Sequence, residues 1–325
     1  SCSWVVFPEL ATTSFFPYFF FSSKTKDKLN AFFDGEDITK GLIGEIFKQA
    51  KLSQIAVSFG YAEQTADGKK YNTFVTIDAK SRIFKYRKTH LPGFEKIDPN
   101  IKNFQYEKAI FDESDEGYPA YDIDILNTDG KIEKVRIGMI ICHDRRYNAP
   151  YLTLGQKGCQ VLINGYNTPF DLTYAQELND HVYEFHYLPQ RAQAITEGMY
   201  IISSAIAGEN FGIRQIGGSC ILSPYGDFIE KLDHDNEQII YGIIDTKQCS
   251  EVKKQKYNGK RARYEILLAE TIEYSDLDTI ISKINEKYGT HLTKSLVLKN
   301  KGIRSNDEYH STWINKANTI FNSLS

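Results

Sequence analysis

A layered α/β protein is the fold class this 325-residue sequence predicts, and three observations carry the prediction. A nearly continuous apolar run at 135–141 is followed by a helical stretch at about 150–157 and a second strand-like run at 160–165, which together make a compact βαβ unit. Two further strand-like runs, 71–77 and 83–88, flank the turn Asp78-Ala79-Lys80-Ser81 and form a hairpin. An apolar stripe at helical spacing, Ile38, Leu42, Ile43, Ile46, Phe47 and Ala50, gives one helix a single face to lay on a core. With 41% apolar and 25% charged residues, the chain is neither disordered, collagen-like nor a coiled coil.

The elements follow in order. Trp4-Val5-Val6-Phe7 is a short buried strand stopped by Pro8, which cannot donate to a ladder, and Glu9 stands at its end. Asp37 is placed to cap the helix that carries the apolar stripe. Strands are expected at 55–61, 71–77 and 83–88. The 135–141 strand delivers Cys142, and the helix after it has Pro150 in its first turn and Gly158 at its end. A helix over about 176–198, kinked near Pro189, precedes strands at 200–206, 219–222, 228–231 and 238–244. Beyond about 265 the apolar strands stop, so residues 1–275 are expected to form the main domain. Residues 276–325 then form a polar extension with helices near 276–288 and 308–323.

Charge and cysteine usage narrow the function. Thirty-nine Lys and Arg against 42 Asp and Glu give a formal charge of −3, so no global field recruits nucleic acid or an anionic membrane. Five cysteines, Cys2, Cys142, Cys159, Cys220 and Cys249, include no CxxC pair, which argues against a disulfide framework and against a zinc site. A reducing, cytoplasmic setting is expected. The aromatic run at 15–21 contains Pro17 and is far shorter than the roughly 20 apolar residues of a membrane span.

Three strand ends carry residues suited to chemistry. Cys142 precedes His143-Asp144-Arg145-Arg146 and a helix, where cations and backbone amides favour a thiolate. Lys88 shares a strand face with Phe84 and Tyr86, and a buried ammonium needs a carboxylate. Glu9 supplies one. A carboxylate can take the thiol proton while an ammonium stabilises an oxyanion. A Cys-His thiol protease using Cys142 with His90 or His143 is less suited, since neither histidine has an evident orienting partner.

The stretches Phe7-Pro8-Glu9-Leu10-Ala11 with Phe15-Phe16-Pro17, Tyr86-Arg87-Lys88-Thr89-His90-Leu91-Pro92-Gly93, Ile141-Cys142-His143-Asp144-Arg145-Arg146 and Gly165-Tyr166-Asn167-Thr168-Pro169 resemble the nitrilase superfamily of carbon-nitrogen hydrolases. The nearest resemblance is to N-carbamoyl-D-amino acid amidohydrolases, and it covers about residues 4–270. It implies a four-layer α-β-β-α sandwich, although the strand and helix that family members carry ahead of the glutamate strand are expected to be absent here. By resemblance Glu9 is the general base, Lys88 the oxyanion-stabilising cation, Cys142 the nucleophile and Glu107 a second glutamate that holds the lysine.

The resemblance also assigns Arg145 and Arg146 to the substrate carboxylate, a role that suits a bidentate guanidinium fork. His90, His143, Asn167 and Thr168 are implied as pocket residues. The implied reaction cleaves the ureido C–N bond of an N-carbamoyl amino acid, giving amino acid, CO2 and ammonia, with no metal or other cofactor. The implied assembly is a homodimer or homotetramer. Gln105 and His143 differ from the carbamoylase pattern and leave open a related amidase or a β-ureidopropionase-like enzyme. The apparent absence of the N-terminal elements leaves open a non-catalytic homologue.

Overall fold

The computed structural model describes residues 2–19, 26–41, 43–93, 106–114, 116–170, 181–210, 212–233, 237–257, 282, 285 and 286. Two compact units divide after Asn258. Of the second unit only residues 282, 285 and 286 are described, all helical; the helix expected at 308–323 lies outside the described residues.

In the first unit, one sheet is built on Ala56–Gln64 (β3). Trp4–Val6 (β1) pairs parallel with its start and Asp34–Gly35 (β2) with its end. Lys70–Ile77 (β4) and Ile83–Arg87 (β5) continue it antiparallel, with the Asp78 carboxylate closing the turn by accepting the Lys80 and Arg82 amides. The second sheet contains Ala120–Leu126 (β6), Ile132–Ile141 (β7), Val161–Tyr166 (β8) and Tyr200–Ala205 (β9). Beyond a small hairpin, Glu209–Asn210 (β10) with Ile213–Arg214 (β11), come its last strands, Cys220–Leu222 (β12) and Phe228–Lys231 (β13). The order is β13-β12-β9-β8-β7-β6, with β7, β8 and β9 mutually parallel.

The sheets pack face to face because each presents an apolar inner face. Phe74 and Tyr86 from the first join Ile137, Met139, Ile141 and Ile163 from the second in one buried cluster. At that interface the Thr76 hydroxyl lies 3.2 Å from the Met139 sulfur. Helix Ile43–Ser53 (α2, after the short α1, Lys26–Asn30) covers the outer face of the first sheet, burying Ile43 and Ala50 against Phe59, Tyr61, Val75 and Ile77. Beyond the short Glu107–Ile110 (α3), helices Asn148–Gln156 (α4), Val182–Glu197 (α5) and Lys247–Tyr257 (α6) contribute Leu154, Ala194 and Cys249 to the core of the second. The result is the four-layer α-β-β-α sandwich.

Three of the expected elements stand differently in the structure. Asp37 does not cap α2; its carboxylate accepts the amide and hydroxyl of Thr39 in a local turn, and the helix starts at Ile43. The described helix α5 begins at Val182, and residues 171–180 lie outside the described residues. The expected strand at 238–244 is unpaired. A Cβ added to Gly242 would stand 2.8 Å from Ile221 Cδ1 and 3.4 Å from Ile229 Cγ2, so the segment crosses the side chains of β12 and β13 instead of joining their ladder. Its alternation then leaves Ile239, Tyr241 and Ile243 exposed at 77%, 72% and 81%.

Candidate active site

The ends of β1, β5, β7 and β8 converge. Glu9 is held by two glycines, one from each sheet. A Cβ at Gly60 would lie 2.7 Å from Glu9 Cα, and one at Gly165 would lie 2.9 Å from Glu9 N and overlap the Phe74 ring. Only residues without a side chain let both sheets close on this backbone. Leu10 then turns the chain at φ 47, left-handed geometry that costs a non-glycine residue about 1–3 kcal/mol.

Lys88 follows β5 directly, and its amide still donates to the Asn72 carbonyl at 2.9 Å. Its Nζ donates to Glu9 Oε1 at 2.7 Å and to Glu107 Oε2 at 2.6 Å, with all three side chains buried. Glu107 opens α3, whose entry is tied down by the Tyr106 amide donating to the Pro17 carbonyl. Asn72 Nδ2 donates to both carboxylates, at 2.7 Å to Glu9 and 3.2 Å to Glu107. The second Glu9 oxygen accepts the Asn167 amide at 2.9 Å, so one carboxylate ties the two sheets together.

Cys142 follows β7 directly and also sits at φ 47, where the chain turns into a 3-10 segment, Cys142–Arg146. The first amides of such a turn have no acceptor within it and can face an anion. Around Sγ are Arg145 Nη1 at 3.5 Å, the Thr168 hydroxyl at 3.6 Å and the Asn167 carbonyl at 3.7 Å.

The charges of this set are mutually dependent. Burial alone would push the Lys88 ammonium down, but the Glu107 and Glu9 carboxylates outweigh it and hold the amine above its usual range. Burial raises Glu107 to about 7; Lys88 opposes that shift and Glu9 adds to it. Burial, followed by the Glu9 charge, raises the Cys142 thiol, while Lys88 and Arg145 pull it back. A protonated amine, a carboxylate and a thiol in one water-poor place can move a proton from sulfur and stabilise a developing oxyanion.

The other residues singled out from the sequence occupy different environments. His90 is half-buried, its Nδ1 2.9 Å from Asp144 Oδ1 and 2.7 Å from the Tyr118 hydroxyl, and its ring stacks on Tyr147 at 4.1 Å. His143 Nε2 is 3.1 Å from the Tyr147 hydroxyl; burial and then the nearby cations Lys88, Arg146 and Arg145 push its imidazole down to about 3. Thr168 accepts Arg145 Nη2 at 3.0 Å. The Asn167 side-chain amide is buried, and neither of its polar atoms is bonded to a partner among the described residues. The two arginines do not form one fork: Arg145 is fully buried and Arg146 is exposed. Gln105 lies outside the described residues.

Three participants escaped the sequence reading. Asn72 bridges the glutamates, but an asparagine inside a strand carries no signal of that. Asp144 accepts the amides of Ile141 and His90, the His90 ring and the Tyr86 hydroxyl, which bolts the Cys142 turn to the segment bearing Lys88. Its place two residues after the nucleophile was the available clue. His186 accepts Arg145 Nε at 2.8 Å from a helix over 40 residues away, and nothing local marks it.

A fold of this architecture with these four strand ends defines a class, and the carbon-nitrogen hydrolase family model matches residues 1–254: the chain belongs to the carbon-nitrogen hydrolase family, within the nitrilase superfamily. It is therefore an enzyme of the type that hydrolyses carbon-nitrogen bonds other than peptide bonds. Among particular relatives, human omega-amidase NIT2 is 27% identical over 224 residues, 68% of this chain and 71% of that protein. A carbon-nitrogen hydrolase from Helicobacter pylori G27 has a TM-score of 0.65 at 23% identity, covering 85% of each chain. A mutant of the amidase from Nesterenkonia sp. AN1, carrying the acetamide moiety of fluoroacetamide covalently on its active-site cysteine, has a TM-score of 0.51 at 17% identity. The match covers 72% of this chain and 74% of that one. These relatives carry amidase and hydrolase names rather than the N-carbamoyl-D-amino acid amidohydrolase name the sequence led one to expect; the superfamily stands and the finer membership does not follow. Among the described residues no helix is long and apolar enough to cross a membrane.

Proposed function

We propose that this protein hydrolyses small carboxamides through a thioester on Cys142. The observation that carries the reading is the buried Lys88 ammonium held at 2.7 and 2.6 Å between Glu9 and Glu107, beside a buried thiol on a strained turn. Glu9 takes the Cys142 proton as sulfur adds to the amide carbonyl. The oxyanion that forms faces the Lys88 ammonium and the first amides of the 3-10 turn. Collapse breaks the C–N bond, and Glu9 returns its proton to the leaving nitrogen, which departs as ammonia. Water, losing a proton to Glu9, then attacks the thioester and releases a carboxylic acid and the free thiol. Lys88 remains protonated throughout, in keeping with two carboxylates at hydrogen-bond distance.

The omega-amidase name of the relatives supports a carboxamide at the end of a small acid as substrate. A second reading has an N-carbamoyl amino acid as substrate, its ureido carbonyl attacked in the same way to give amino acid, CO2 and ammonia. It is favoured by the exposed cation Arg146, four residues after the nucleophile, where a free carboxylate would be read. Assembly as a homodimer or homotetramer and a cytoplasmic setting belong to the same proposal. Ammonia release across ω-amides of dicarboxylic acids, N-carbamoyl D- and L-amino acids, β-ureidopropionate and simple amides separates the readings. Turnover of the ω-amides above the ureido acids is the expected result; the reverse order makes the second reading the right one, and no turnover of any refutes both.

A further inference from the structure

Among the described residues no carboxylate stands beside the charge of Arg145 to balance it. Its side chain is fully buried. Nε donates to His186 Nδ1 at 2.8 Å, Nη1 to the Cys142 carbonyl at 2.5 Å and Nη2 to the Thr168 hydroxyl at 3.0 Å, and the guanidinium lies 4.7 Å over the Tyr166 ring. Because His186 Nδ1 accepts, its hydrogen sits on Nε2, 2.6 Å from the Tyr166 hydroxyl, which in turn donates to the Gly218 carbonyl at 2.8 Å. Every acceptor in this network is neutral. Among the described residues no carboxylate forms an ion pair with Arg145, whereas Lys88 has two.

An uncompensated buried cation is expensive, and the cost is relieved when an anion forms in contact with it. The acidic group in direct contact is the Cys142 thiol, 3.5 Å from Nη1. Thr168, which accepts from Nη2, keeps its own hydrogen to offer to the same sulfur at 3.6 Å. The bond from Nη1 to the Cys142 carbonyl also braces the residue that holds φ 47. Of its five N–H donors, one is given to His186, one to Thr168, and both of those on Nη1 face Cys142, its carbonyl and its sulfur, so the guanidinium is turned to the nucleophile's own residue. We infer that Arg145 is the counter-cation of the Cys142 thiolate, holding sulfur as Glu9 removes its proton, and is not a reader of the substrate's acid group. The inference rests on Cys142 being the nucleophile and extends that reading to the charge beside it.

The test is alkylation of Cys142 by iodoacetamide in enzyme without substrate, followed by peptide mass spectrometry so that the exposed Cys2 is scored separately, over a range of pH. Arg145→Gln should move the thiol titration to higher pH and slow alkylation at pH 7 by roughly ten- to hundredfold. Arg145→Lys should recover part of that loss. On an ω-amide acid and on its neutral amide analogue, kcat/KM should fall by the same factor in both variants. An unshifted titration in folded Arg145→Gln, or a loss confined to the acid substrate, overturns the inference. Should Arg145→Gln not fold, Arg145→Lys decides alone, by a slower alkylation with an unchanged ratio between acid and neutral substrates. Alkylation needs no turnover, so a shifted titration in an enzyme that hydrolyses no amide would defeat the proposed reaction and leave the role of Arg145 standing.

Discussion

Lys88 and Glu107 show how little the identity of one residue says without its neighbours. An ammonium with two carboxylates at 2.7 and 2.6 Å fills a compact site, and a planar guanidinium is both larger and differently directed. Lys88→Arg is therefore expected to lose kcat/KM nearly as fully as Lys88→Ala, by roughly a thousandfold on the scale typical of lost oxyanion stabilisation; a Lys88→Arg enzyme within tenfold of the native one contradicts this. Glu107 gives a pH dependence of known sign. Burial raises it from the usual 4.5 to about 7, so between those values the folded protein binds a proton that the unfolded chain does not. The stability it contributes is present below about 4.5 and is lost as pH rises toward 7. Glu107→Gln should flatten the fall of the unfolding midpoint across that window, and an unchanged slope would show that Glu107 does not titrate there. The sequence made Glu9, Lys88 and Cys142 visible because each ends an apolar strand. It could not show Asn72 or His186, whose roles arise from side chains meeting across the fold.

At the scale of elements, the strands were legible wherever both faces are covered, because burial writes a continuous apolar run into the sequence. The hairpin β4–β5 and the unit from β7 through α4 to β8 stand where expected. Strand β6 was missed, since Asp122 and Asp124 break its apolar pattern even though Asp124 is buried beside Arg82 and Lys80. The strand expected at 238–244 has the right alternation but no ladder to join, which alternation cannot reveal. Glycine placement carries more than the sequence suggested: Gly60 and Gly165 let two sheets grip Glu9. Gly165→Ala should push Phe74 and the Glu9 backbone apart, lowering kcat by roughly tenfold or more for a shift approaching an ångström. The melting temperature should also drop by several degrees, as overpacking by about 1–3 kcal/mol predicts. Native kcat in Gly165→Ala would mean that the grip does not position the carboxylate.

For the whole molecule, the sandwich exists to bring the strand ends of two sheets to one place, and Glu9 and Asp144 each bond across that divide. The architecture followed from the resemblance more than from periodicity, which gave the layers but not their number. Every residue assigned a chemical part lies before Asn258, in the first compact unit. Deletion of residues 276–325 is expected to alter assembly, read by light scattering, while leaving kcat within about threefold; a folded deletion of unchanged assembly that has lost turnover would place part of the site in the removed segment. The central claim, that Cys142 attacks the carbonyl of an amide, is tested most directly by ammonia release from the Cys142→Ala protein at matched unfolding midpoint. Release at the uncatalysed rate is the predicted result, and release at a rate near that of the native enzyme would contradict it.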